Sequence, residues 1–307
     1  MTTAFITHRD CWLHDMGSRH PECPDRLSVI QDGLIAAGID TCLSYYDAPL
    51  VTKEYLARVH TPAYIRSVEE SAPQNGVVHL DPDTAMNPGT WHAALRAAGA
   101  GVLATDLIMS GEVENAFCSV RPPGHHAERA KAMGFCFFNN IAVAAAHALE
   151  AHALKRIAIV DFDVHHGNGT ENIFANDPRV LMVSTFQHPF YPYCGTESPA
   201  TNMVNVPVPA GTRGEGFRKA VEDFWLPALK SFAPEAIFIS AGFDAHYDDD
   251  MASLGLVESD YAWVTEQIKM IADETAQHRI VSMLEGGYAL PALARSVVAH
   301  IKVLADL

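Results

Sequence analysis

The run Lys155-Arg-Ile-Ala-Ile-Val160 turns apolar and leads directly into Asp161-Phe-Asp163-Val-His165-His166-Gly-Asn168-Gly169. A short, uniformly apolar run is the pattern of a strand buried on both faces, as in a parallel sheet covered by helices. The ligand crevice of such a sheet lies beyond the carboxyl ends of its strands. Asp161, Asp163 and His165 occupy alternate positions, which an extended chain points to one side. Packing has no use for two carboxylates and an imidazole there, whereas a divalent metal ion does.

The rest of the chain alternates strand and helix signals. Strand-like runs are Ala4–Thr7, Ala116–Val120, Ile157–Phe162, Val180–Phe186, Ala236–Ala241 and Ile280–Leu284, with helical patterns over about 24–37, 89–110, 139–152, 214–231, 259–276 and 290–305. Thr90 is the expected N-cap of the second helix. This order implies an α/β fold with a mostly parallel sheet between helices. Without repeats, low-complexity tracts or a long linker, residues 1–307 read as a single catalytic domain.

Four of the strands end in unusual residues: Arg121-Pro-Pro-Gly-His125-His126, the Asp161–Gly169 segment, Ala241-Gly-Phe-Asp244-Ala-His246 and Glu285-Gly-Gly-Tyr288. Their convergence on one sheet edge marks a site more strongly than any one of them. Asp163, His165 and Asp244 form a three-ligand set with room for a further ligand, as in a catalytic zinc site. Oxygen-rich ligation also accepts Fe(II), Mn(II) or Co(II). The alternation selects His165 over His166 as the ligand and leaves His166 a structural role. Adjacent imidazoles at 125 and 126 suit general acid–base work, with Asp161 and Asn168 as partners for their far nitrogens. Tyr288 is placed to donate to a developing oxyanion.

The net charge of −16 argues against nucleic acid, whose binding needs clustered Lys and Arg, and suits a cationic substrate by long-range steering. Six cysteines without paired spacing read as reduced thiols. No secretory signal pattern opens the chain and no uninterrupted apolar run reaches about 18 residues, so a cytoplasmic protein without a membrane partner is expected. The oligomeric state is left open.

Taken in order, Arg121-Pro-Pro-Gly-His-His126, Gly134-Phe-Cys-Phe-Phe-Asn-Asn140, Asp161–Gly169, Ser240-Ala-Gly-Phe-Asp244 and Glu285-Gly-Gly-Tyr288 resemble the zinc-dependent histone deacetylase family, with His20-Pro-Glu22…Pro24-Asp-Arg26 matching near the start. That family includes bacterial deacetylase-like amidohydrolases, acetylpolyamine amidohydrolases and acetoin-utilisation proteins. Phe243-Asp244 and Asn168 are closer to its class II branch. The resemblance implies the arginase–deacetylase fold, with a central eight-stranded parallel sheet flanked by helices.

It also implies roles. Asp163, His165 and Asp244 match the zinc ligands. His126 matches the general base that takes a proton from the attacking water and later protonates the leaving amine. His125 matches its charge-stabilising neighbour, Asp161 the partner of His125, and Tyr288 the carbonyl-polarising tyrosine. Asn168 stands where class I members have an Asp beside the second histidine. A structural potassium ion is implied beside the zinc loop, held by Asp161 and Ser184 with backbone carbonyls of Asp163, His165 and Thr185. Phe135 and Tyr191 match the aromatics flanking an acyl-lysine tunnel, and Gly134 matches a glycine whose carbonyl contacts the substrate amide. Gly287 belongs with the substrate-binding positions. Arg26 matches an arginine of an internal channel for acetate release. Asp81 or Asp83 matches a rim carboxylate, and an ungapped count from Gly89 favours Asp83.

The activity implied is hydrolysis of acetyl or other acyl groups from lysine side chains of proteins or peptides, with acetylated polyamines as the alternative substrate. Polyamine hydrolases of the family carry an acidic gatekeeper after the third metal ligand. The corresponding count from Asp244 reaches apolar Met251, although Asp248-Asp249-Asp250 lies directly before it. Tyr193 and Cys194 are expected to line the opposite rim. A di-manganese ureohydrolase would need a second set of metal carboxylates, and a non-catalytic acyl-lysine-binding protein would not need the full catalytic complement.

Overall fold

The computed structural model describes residues 2–197 and 199–307. Ten strands run in chain order: β1 (Thr3–Thr7), β2 (Leu43–Asp47), β3 (Val78–Asp81), β4 (Thr84–Met86), β5 (Asn115–Cys118), β6 (Ile157–Asp161), β7 (Val180–Gln187), β8 (Met203–Val208), β9 (Ala236–Ala241) and β10 (Ile280–Leu284). The helices are α1 (Asp25–Ala36), α2 (Lys53–Leu56), α3 (Pro62–Glu70), α4 (Thr90–Ser110), α5 (Asn140–Ala151), α6 (Asn168–Phe174), α7 (Gly214–Ala220), α8 (Leu226–Phe232), α9 (Glu258–Thr275) and α10 (Leu290–Leu304). A π-helical turn, Val221–Trp225, links α7 to α8 where one continuous helix was expected.

Eight strands form one sheet in the order β2-β1-β5-β10-β9-β6-β7-β8, with every neighbouring pair parallel. The central strands are buried along their whole length, as their apolar runs require when helices cover both faces. The edge strands differ. β2 alternates buried Leu43 with exposed Tyr45, and β8 tolerates Pro207 because an edge strand has an unpaired side. Their mixed composition also kept both out of the sequence-based strand list. β3 and β4 form a separate antiparallel hairpin with a register shift between His79 and Asp81.

The order of strands positions the site. β5, β10, β9 and β6 carry the four polar strand-end motifs, and they are neighbours at the middle of the sheet. Segments as far apart in sequence as Arg121 and Tyr288 therefore open onto one crevice. α4 is long and apolar enough to cross a membrane, but most of it is buried inside the fold, packed against α5 and the sheet. Its N-cap is Gly89 and not Thr90, which is the first helical residue; the Thr90 hydroxyl instead accepts from Asn87 N and contacts His14 Nδ1.

Candidate active site

β6 ends at Asp161, and the chain leaves the extended conformation there. The alternation expected to align Asp161, Asp163 and His165 therefore does not act through a strand. Asp161 turns to His125, its Oδ2 lying 2.9 Å from Nδ1, and its Oδ1 accepts from Asp163 N at 3.1 Å. Asp163 and His165 come from the following loop and meet Asp244, which follows β9. One donor atom from each of these three buried residues lies within 4.8 Å of the others.

Backbone amides aim these side chains. Asp163 Oδ1 accepts from His165 N at 2.8 Å, and its Oδ2 from Gly286 N at 2.8 Å. Asp244 Oδ1 accepts from Val164 N at 2.9 Å, which leaves Asp244 Oδ2 buried without a hydrogen-bond partner, 3.2 Å from His165 Nδ1. A buried carboxylate oxygen left unpaired is costly. Two carboxylates and an imidazole around it form a donor set that a divalent cation would satisfy, so the residues fit a metal ion. Gly286 keeps the position open, since a Cβ there would overlap Asp244 Oδ2 and Asp163 Oδ2. Burial, reinforced by the Asp163 charge, raises the Asp244 carboxyl to about 6. Burial disfavours a charged His165, yet the neighbouring carboxylates of Asp163 and Asp244 lift it to about 10. Both shifts mark a cluster short of positive charge.

His125 and His126 sit side by side with ring centres 4.0 Å apart. Their turn is held from below by Glu285, a buried carboxylate that accepts from Gly124 N at 2.7 Å and His125 N at 3.1 Å. The two rings have different partners. Burial opposes charge on His125, but Asp161 and Asp163 overcome it and hold the imidazolium well above the usual histidine range. Burial, together with the His125 and His165 charges, holds His126 well below that range. Asn168 donates through Nδ2 to Glu128 Oε1 at 2.9 Å, so its Oδ1 is the atom 2.8 Å from His126 Nδ1. That arrangement selects the tautomer with the proton on Nδ1 and a free lone pair on Nε2.

A cavity of about 290 Å³ opens above these residues, lined by Asp83, His126, Gly134, Phe135, His165, Phe190, Tyr191, Met251 and Tyr288. Tyr191 packs edge-on to His126 at 5.3 Å, and Phe190 stacks on His165 at 5.5 Å. Phe190 was not singled out from the sequence, although it adjoins Tyr191. Phe135 faces Tyr288 edge-on at 6.0 Å. The Gly134-Phe135 turn has φ of 56° and 67°, a strained choice for phenylalanine. Asp83 Oδ1 and Thr84 Oγ1 hold it by accepting from Gly134 N and Phe135 N. At Gly134 a Cβ would overlap the His126 ring. Asp83, not Asp81, reaches the cavity; Asp81 lies behind it and accepts from Asp83 N.

Other expected positions fall elsewhere. Gly287 does not line the cavity, because its carbonyl accepts from Arg26 Nε at 2.7 Å and the residue packs against Leu293 and Phe243. Arg26 is fully buried, 5.0 Å over the Tyr288 ring, and shares Glu22 with Arg121. The Gly134 carbonyl accepts from the Cys136 thiol. Ser184 is the register partner of Asp161 across β6 and β7, and its hydroxyl lies 3.4 Å from Asn205 Oδ1. Thr185 is buried beside it, its hydroxyl unpartnered. His166 is buried against Phe186, 3.3 Å from Glu171. Tyr193 and Cys194 are exposed and do not line the cavity. Burial raises the Tyr288 phenol well above its ordinary value, so it remains a donor at neutral pH.

A second cluster, Asp106, His147 and His152, lies on the surface of α4 and α5. Asp106 Oδ1 is 2.7 Å from both imidazole Nε2 atoms, and Arg58 donates to His147 Nδ1 at 2.7 Å. The arginine fixes the His147 proton on Nε2, which makes that nitrogen a donor to Asp106 and not a metal ligand.

Residues 20–304 match the histone deacetylase domain model. A probable deacetylase of Archaeoglobus fulgidus is 37% identical over 301 residues, covering 94% of this chain and 82% of that one. The mouse polyamine deacetylase HDAC10 is 36% identical over 334 residues, covering 99% of this chain and 48% of its own length. A crystal structure of the HDA15 HD domain superposes with a TM-score of 0.94 at 35% identity, covering all of this chain and 89% of that one. The eight-stranded parallel sheet with a buried candidate metal centre at its middle thus belongs to a known lineage, and the chain is a member of the histone deacetylase family of deacetylases and amidohydrolases.

Proposed function

We propose that the protein is a zinc-dependent deacylase that removes acetyl or other acyl groups from lysine side chains. The observation that carries this reading is the aromatic cavity that reaches His165 of the buried Asp163–His165–Asp244 cluster, with His126 and its Nε2 lone pair also in its wall. A zinc ion held by these three residues would act as Lewis acid toward the acyl carbonyl and acidify water. His126 takes a proton at Nε2 from the attacking water, stabilised as imidazolium by the Asn168 carbonyl, and returns it to the departing amine. His125, charged against Asp161, offers Nε2–H to negative charge that develops nearby. Tyr288 donates its phenol hydrogen to the oxyanion. Phe135, Phe190, Tyr191 and Met251 wrap an aliphatic stem and exclude water. Ser184 and Asp161, adjacent across the sheet, would supply oxygens to a structural potassium ion.

Lysine is favoured over polyamine by the loop after Asp244. Apolar Met251 lines the cavity, Asp248 pairs with Arg295 at 3.0 Å, and Asp249 is turned inward. None of the three consecutive acids borders the cavity to receive a second ammonium group. The polyamine reading draws on the similarity to mouse HDAC10 and on the overall acidity. Zinc-loaded enzyme offered an acetyl-lysine peptide and an acetylated polyamine side by side is expected to prefer the peptide. A higher kcat/KM for the polyamine overturns the choice of substrate, and no turnover of either overturns the activity.

A further inference from the structure

We propose that Asp249 is a positioning residue for Tyr288, an inference that rests on the deacylase reading. The sequence presents it as the middle of an acidic triplet, but the structure separates the three. Asp248 is half-exposed and paired with Arg295, Asp250 is exposed, and Asp249 is 5% exposed. Its carboxylate bridges two loops. Oδ2 accepts from Tyr288 N at 2.6 Å and Ala289 N at 2.9 Å, while Oδ1 accepts from Met251 N at 3.0 Å. Asp249 N in turn donates to His246 O at 2.9 Å, close behind the ligand Asp244.

The segment carrying Tyr288 is held on its carbonyl side by Arg26, which donates to Gly287 O and Glu285 O. On its amide side the partners are Asp163 for Gly286 and Asp249 for Tyr288 and Ala289. Ala289 is the N-cap of α10 and has no capping side chain of its own. Asp249 therefore supplies an anionic cap from another loop, at a helix end whose dipole favours negative charge. The same carboxylate fixes Met251 in the cavity wall. The oxyanion donor and the wall thus share one anchor, and two of its three hydrogen bonds fall on the segment that carries Tyr288.

A helix cap alone would affect stability. A positioning role also affects turnover, and displacing an oxyanion donor by about 1 Å costs on the order of 100-fold. The test compares wild type, Asp249→Ala, Asp249→Asn, Tyr288→Phe and the Asp249→Asn/Tyr288→Phe double variant as metal-loaded full chains, measuring kcat, KM and metal content on the acetyl-lysine peptide. Asp249→Ala is expected to lose about 100-fold in kcat and Asp249→Asn, which keeps one acceptor oxygen, roughly tenfold. KM and metal content should stay within about twofold, and the double variant should be less than about twofold slower than Tyr288→Phe. Losses that multiply in the double variant, or an Asp249→Asn variant with wild-type kcat and only a lowered melting temperature, overturn the proposal. An inactive wild type overturns the deacylase reading and this inference with it, whereas an active wild type with multiplying losses overturns this inference alone.

Discussion

His125 and His126 are neighbours in sequence, share a turn and are equally buried, yet they are electrostatic opposites. One faces the carboxylate of Asp161 and is held as a cation, and the other faces the amide oxygen of Asn168 and is held neutral. His300 repeats the second case far from the site. It is fully buried, bonded only to the hydroxyls of Thr265 and Ser282, and burial lowers it to about 3. Burial lowers a histidine, and within the active-site pair a carboxylate beside one ring reverses that shift while an amide oxygen beside the other does not. In this pair the chemistry is chosen by the partner, one bond beyond the ring.

The most severe way to break the comparison is to remove the neutral partner's histidine. His126→Ala is expected to lower kcat by about 10³-fold or more while the bound metal is retained. Near wild-type turnover with full metal content would remove His126 from the proton transfer. A subtler change makes the two histidines alike. Asn168→Asp puts a carboxylate beside Nδ1, which favours the imidazolium and raises the His126 pKa. A base must be neutral to act, so the acid limb of the kcat/KM profile should move to higher pH. An unmoved limb would mean that another group sets it.

The smallest expected effect tests the histidine outside the site. Because the folded-state value of His300 is depressed from 6.5 to about 3, the unfolded chain binds the extra proton between these limits. Stability from this group is whole above pH 6.5 and is lost as the pH falls toward 3, by about 2 kcal/mol at pH 5. His60, lowered by burial to about 4, adds a similar slope. Denaturant unfolding at pH 7 and pH 5 should show a shallower loss in His300→Gln than in wild type; equal losses would show that His300 is not the neutral member it is taken to be.

Much of the fold was legible because buried parallel strands are nearly continuous apolar runs. β6, β9 and β10 stand out on that basis, and the edge strands β2 and β8 do not, because a half-exposed strand carries the polar residues of a loop. At the site, the strand-end motifs were legible as residue types. Their helpers were not. Glu285 stands in the sequence only as the first residue of the strand-end motif Glu285-Gly-Gly-Tyr288, yet its carboxylate holds the backbone of Gly124 and His125. Asp249 was hidden inside a triplet whose members look identical in sequence but are sorted by which way the loop turns. Gly287 was grouped with the substrate, and the structure assigns its carbonyl to Arg26.

By itself the sequence determined the α/β class, the central strands, and the inventory of carboxylates, imidazoles and the phenol at their ends, because these follow from local pattern and residue chemistry. The tertiary structure decided the adjacency of β5, β10, β9 and β6, which brings residues 125, 163, 244 and 288 to one crevice. It also decided which oxygen of each carboxylate is already bonded and which is left over. A hydrogen-bond partner is a matter of distance in space, and chain position alone does not specify it.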